Sequence, residues 1–296
     1  MAKVRVGEIE IEFESLGSPH AEPIVLIMGL GAPLTRWRAD LCRMLVAAGY
    51  RVIRFDNRDS GLSTHLHGVG TPDVRRVMEG GVTPPYTLID MALDTLGLLD
   101  ALNVRRAHIV GASMGGMIAQ LIAADFPTRT ASLTSIMSTS GNPALPSARP
   151  GIVERLTAAP PDPLIDLEVF LDHQVRRAQL IGSPDYRTDE RELREQIRQE
   201  TARSYDPAGG TRQMAAIFAS GDRRGKLRQI MAPTVVLHGG NDPLIPPEGG
   251  VDTAANIAQS ELHIVPGMGH DLAPQLMPLF AHHICAAATR GAIASG

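Results

Sequence analysis

Three observations predict an α/β fold for this chain, with a mostly parallel eight-stranded sheet flanked by helices. Short apolar runs of strand length alternate with longer segments that carry apolar residues at helical spacing. The run at 24–28 is apolar throughout, as strands covered on both faces of a parallel sheet are. The alternation fails once, between about Asn142 and Ile230, where prolines cluster (Pro143, Pro146, Pro150, Pro160, Pro161, Pro163) and only helical patterns follow.

The elements follow in order. Residues 4–6 and 9–13 alternate apolar with charged side chains and read as an antiparallel hairpin. Strand 24–28 comes next, then a helical stripe over 41–48, a strand at 51–55 and a longer helix at 88–102. Residues 107–110 form a strand that breaks into a glycine-rich turn, after which Met117, Ile118, Leu121 and Ile122 mark a helix. Strands at 133–137, 234–238 and 262–265 complete the sheet, and 274–288 closes the chain as a helix. Inside the interruption, 187–200 is a charged helix with Glu190 before Arg194 at i,i+4 and an apolar stripe of Leu193 and Ile197. The expected organisation is therefore a core of residues 1–141 and 231–296, with 142–230 as a helical cap, or lid, over the strand ends, where open parallel sheets bind ligands.

Composition narrows the function. The chain has 296 residues and a net charge of −4, so it carries no basic field for nucleic acid. No run of about 18 apolar residues occurs, and the opening Met-Ala-Lys-Val-Arg-Val lacks the apolar core of a signal peptide, so a cytoplasmic location without membrane insertion is expected. Cys42 and Cys285 read as small core residues. His65 and His67 lie in a polar loop, and His282 and His283 sit side by side in the last helix. Neither pair has further ligands at metal-site spacing, so no metal and no cofactor is expected.

Chemistry concentrates at 109–118, Ile-Val-Gly-Ala-Ser-Met-Gly-Gly-Met-Ile. Gly111-x-Ser113-x-Gly115 between strand and helix puts one hydroxyl on a turn so tight that side chains two residues to either side would collide with backbone. Ser113 is thus the candidate nucleophile, and the Met114 N–H at the start of the helix is a candidate oxyanion donor. A serine needs a base, and the base needs an acid to orient it. Asp242 follows strand 234–238 in Gly-Gly-Asn-Asp-Pro, and His270 follows strand 262–265 in Pro-Gly-Met-Gly-His. The order Ser, Asp, His suits three successive strand-end loops. His238 and His108 fall within strands and are weaker candidates, while Asp271 is the fallback acid. Gly29-Leu30-Gly31, after strand 24–28, offers the Leu30 N–H as the second oxyanion donor. A dinucleotide loop is disfavoured there because Leu34 stands where a third glycine belongs.

With these motifs assembled, the chain resembles the α/β-hydrolase superfamily over essentially its whole length, with a helical cap inserted after the sixth strand. Asp56-Asn57-Arg58-Asp59-Ser60-Gly61-Leu62-Ser63 is similar to that superfamily's Asp-x-Arg-x-x-Gly-x-Ser loop. Ile27-Met28-Gly29, Arg54 to Asp59 and Gly267-Met268-Gly269-His270 resemble bacterial carboxylesterases of the aclacinomycin methylesterase-like group. Many superfamily members carry His-Gly where this chain has Met28-Gly29. The resemblance implies a serine carboxylesterase acting on a small-molecule ester or lactone through Ser113, Asp242 and His270, with no cofactor. Enol-lactonases, acyl-homoserine lactonases, C–C bond hydrolases and cofactor-free perhydrolases share the pattern, and a hydrolase-like ligand sensor is the alternative outside catalysis.

Overall fold

In the computed structural model, which describes residues 1–293, the chain forms an eight-stranded sheet in the order β1-β2-β4-β3-β5-β6-β7-β8. The strands are β1 (Ala2–Val6), β2 (Ile9–Leu16), β3 (Pro23–Ile27), β4 (Arg51–Phe55), β5 (Ala107–Ala112), β6 (Thr130–Ile136), β7 (Thr234–Gly239) and β8 (Ser260–Val265). The expected hairpin forms: β1 pairs antiparallel with β2, and β2 antiparallel with β4. Every other neighbouring pair is parallel. Parallel pairs need crossovers, and helices supply them. These are α1 (Ala39–Ala47), α2 (Val74–Met78), α3 (Leu88–Ala101) and α4 (Met114–Asp125) before β6 and α10 (Glu248–Ala255) between β7 and β8, while α11 (Met277–Ile293) follows the last strand.

Between β6 and β7 the chain leaves the sheet. It forms α5 (Ile152–Thr157), α6 (Leu167–Ile181), α7 (Glu190–Arg203), α8 (Pro207–Ser220) and α9 (Arg224–Leu227), with no strand among them. Asp side chains cap three of these helices. Asp166 accepts from Val169 N, Asp189 from Arg191 N and Glu192 N, and Asp206 from Ala208 N.

Two apolar cores lie on opposite sides of the sheet, because side chains alternate along each strand. Val25 and Ile27 pack on one side with Ile109, Met117 and Leu121. Ile24 and Leu26 pack on the other with Leu41, Leu237, Phe280 and Ile284. Trp37 is fully buried in the second core, so it is a packing residue. A third, small cluster of Phe170, Leu171, Val175 and Ile197 belongs to the inserted helices alone.

Candidate active site

The parallel strands end on one edge, and their loops bring the three separated side chains together. Ser113 links β5 to α4 at φ 55° and ψ −121°, a left-handed backbone that an L-residue adopts only when its surroundings force it. The forcing contacts are clear: Ser113 N–H donates to Ile136 O at 2.9 Å, and Ser138 Oγ donates to Ser113 O at 2.9 Å. The glycines permit the turn, since a Cβ on Gly111 would lie 2.0 Å from Gly115 O and one on Gly115 would lie 2.0 Å from Ile27 O.

His270 arrives from the loop after β8, where its backbone N–H donates to Ile181 O at 2.6 Å. Its ring spans the other two groups, with Nε2 3.0 Å from Ser113 Oγ and Nδ1 2.7 Å from Asp242 Oδ2. A carboxylate only accepts, so His270 Nδ1 carries the proton, and Nε2 is left with a lone pair for the serine O–H. Asp242 is 1% exposed, and its other oxygen accepts the Leu244 and Ile245 N–H groups, both at 2.9 Å. Chemically, this line of bonds can take a proton from the Ser113 hydroxyl and hold the resulting imidazolium against a fixed, buried carboxylate.

The other candidates are engaged elsewhere. Asp271 turns away from His270 and accepts the backbone N–H and hydroxyl of Ser183, and burial holds its carboxyl above the usual carboxylate range. His238 donates from Nε2 to Ile245 O at 2.8 Å, and burial pushes its pKa below the ordinary imidazole value. His108 lies within β5 on Ser132 Oγ at 2.9 Å.

Gly29 crosses directly over the serine, where a Cβ would lie 3.1 Å from Ser113 Cβ. Leu30 follows Gly29 in this loop, and the Met114 N–H opens the first turn of α4, whose leading donors have no partner within the helix. No local sequence pattern marks what supports this loop. Gln213 of α8, fully buried, accepts the Gly31 N–H through Oε1 at 2.7 Å and donates from Nε2 to Arg58 O at 2.7 Å. Asp56 accepts Leu34 N–H at 2.6 Å and Leu62 N–H at 2.8 Å, and binds Arg203 of α7 at 2.6 Å. Gly61 packs so closely on Asp56 that a Cβ would lie 2.2 Å from the carboxylate. Inserted helices thus touch both the 29–34 loop and, through Ile181 and Ser183, the loop that carries His270. A cavity of about 250 Å³ lies along this seam, lined by Thr35, Gln196, Gln199, Glu200 and Arg203.

The fold and this strand-end site define a class, the α/β-hydrolases. The sequence profile of the alpha/beta hydrolase fold matches residues 22–274, and the chain belongs to that family. Among curated proteins it is similar to rhodomycin D methylesterase DnrP of Streptomyces peucetius, at 29% identity across 95% of this chain and 94% of that protein. Among solved structures it is similar to the enol-lactonase from Burkholderia xenovorans LB400, with TM-score 0.75 and 25% identity over 97% of this chain and 100% of the other. The meta-cleavage product hydrolase CumD from Pseudomonas fluorescens IP01 shares the fold, with TM-score 0.74 at 17% identity over 97% of each chain.

Proposed function

We infer that this chain is a serine carboxylesterase in which Ser113, His270 and Asp242 form the catalytic triad. The observation that carries this reading is the unbroken line of hydrogen bonds from the Ser113 hydroxyl through the His270 ring to Asp242. Ser113 Oγ attacks the ester carbonyl carbon while its proton passes to His270 Nε2. The Leu30 and Met114 N–H groups receive the negative charge on the carbonyl oxygen. Collapse breaks the bond to the alcohol oxygen, which leaves with the His270 proton, and the acyl group stays on Ser113. Water then attacks that acyl group, with His270 as base, and releases the carboxylic acid and the free serine.

Residues 142–230 serve as the cap of this site. The contacts of Ile181, Ser183, Arg203 and Gln213 with the core loops support this role. The likeness to a methylesterase over nearly the whole chain supports a small-molecule methyl or other simple ester as substrate. The likeness to an enol-lactonase supports a second reading, lactone hydrolysis by the same steps, in which both products stay on one molecule.

Ser113→Ala tests the central claim. It is expected to lower kcat on p-nitrophenyl and methyl esters by about 10⁶-fold with the melting temperature retained. Near-normal turnover by that variant contradicts the assignment. Comparing kcat/KM for a lactone and a linear ester of the same acyl length separates the two substrate readings, and multiple turnover separates an enzyme from a ligand sensor.

A further inference from the structure

Outside the triad, the loop after β4 meets the start of α8 at a cluster the proposed reaction does not use. The geometry points to a binding site for one divalent transition-metal ion of the zinc class, formed by His65 and His67 of that loop and Asp206 of the inserted segment.

Asp206 is the N-cap of α8, and its Oδ1 accepts the Ala208 N–H at 3.1 Å. Its Oδ2 faces both histidines through the same ring atom, His65 Nδ1 at 2.9 Å and His67 Nδ1 at 3.7 Å. The two rings are stacked, with centroids 5.5 Å apart and planes 8° apart, and the three ligand atoms lie within 4.8 Å of one another. In a tetrahedral zinc site, bonds of about 2.0–2.1 Å separate neighbouring ligand atoms by about 3.3 Å. A metal can therefore enter with small side-chain shifts, and the farther ligand, His67, has a side chain 71% exposed and room to turn.

The surroundings prepare His65 for this role. Its Nε2 lies 2.9 Å from Gly61 O and donates to it, which orients the ring and assigns Nδ1 to the ligand side, as the outer hydrogen bond of a metal-bound histidine does. Two imidazoles and one carboxylate suit Zn²⁺, Cu²⁺ or Ni²⁺ rather than the oxygen-seeking Mg²⁺ or Ca²⁺.

One neighbour opposes a cation: Arg212 Nη2 lies 3.2 Å from the same Asp206 oxygen. Asp59 offsets it by holding the guanidinium at 2.7 and 2.8 Å. The result is a three-ligand site weakened by a paired arginine, with micromolar rather than tighter affinity. The ion would tie the core loop to α8, the helix whose Gln213 holds Gly31.

The test uses full-length protein stripped with chelator and titrated with ZnCl₂ alone, followed by calorimetry and thermal melting. Saturable binding of one ion per chain at micromolar concentration is expected, with the melting temperature raised by about 5 °C in excess metal. His67→Ala, at an exposed position that leaves the fold intact, and Asp206→Asn are each expected to weaken binding at least about 10-fold. His263, His282 and His283 form a separate ring cluster by β8 and α11, so a His282→Ala/His283→Ala variant serves as control and is expected to bind as the parent does. No saturable binding below about 1 mM, or binding that survives His67→Ala but is lost in the control, overturns the proposal.

Discussion

Ser113 holds its left-handed backbone because the glycines around it let three backbones meet, and Gly115 is where α4 presses on β3. A methyl on Gly115 would sit 2.0 Å from Ile27 O and 2.8 Å from Met28 O, so α4 would have to move off β3. Backbone oxygens in a central strand cannot rotate away as a flexible side chain could. Gly115→Ala is therefore expected to cost about 2–3 kcal/mol in urea unfolding and to lower esterase activity, because Ser113 and the 29–31 loop shift together. Unchanged stability would mean that the elbow is looser than these contacts require. At this scale the sequence was highly legible: the glycine spacing, Asp242 and His270 each announced themselves by their place after a strand. Gln213, Arg203 and Ser183 did not. Their partners lie 182, 147 and 86 residues away, and no local pattern marks such pairings.

Among the inserted helices, α8 holds the 29–31 loop. Gln213 occupies both of its amide ends, one on the Gly31 N–H and one on Arg58 O, so truncating it strands two polar groups at once. Gly31 adjoins Leu30, whose N–H is the proposed oxyanion donor, and loss of that hold lets the donor wander. Gln213→Ala is accordingly expected to lower kcat about 10-fold with little change in KM, as steady-state kinetics on a p-nitrophenyl ester would show. An effect confined to KM would instead make Gln213 a substrate contact. Element positions show where periodicity stops being informative. Strand 51–55 matches β4 to the residue, but the helix expected at 187–200 runs Glu190–Arg203, because Asp189 caps it and starts it later. The five-residue α2 is too short to display a period. α10 was hidden by Gly249 and Gly250, and the second of these is there because a Cβ would lie 2.7 Å from the His238 ring.

Across the whole molecule, stability should follow buried ionisable groups rather than the net charge of −4. Burial outweighs the pull of Glu22 on His108 and of Ile245 O and Asp242 on His238, and holds both imidazoles below their ordinary pKa. A histidine depressed in the folded state binds its proton more readily when unfolded. Its contribution is present above the unfolded value of about 6.5 and is lost as pH falls toward the folded one. Asp59 adds a second stage. Burial alone would raise its pKa, but Arg212, the Leu66 N–H and the Tyr86 hydroxyl prevail and hold it low, so its stabilisation is present above about 3.9 and is lost in stronger acid. Asp271 and Asp94 act in the opposite sense, since burial raises their pKa and favours the folded state only at low pH, but the depressed imidazoles, His173 and His283 among them, outnumber these two raised carboxyls in the range where histidine titrates. The melting temperature is therefore expected to fall between pH 7 and pH 5 and to fall again below about pH 4. His108→Gln removes one titrating group far from the triad and can keep the bond to Ser132, so its melting temperature should fall less over the first interval. Parallel profiles for variant and parent across pH 5 to 8 would place the acid sensitivity elsewhere, and melting followed by circular dichroism at half-unit steps distinguishes the two results.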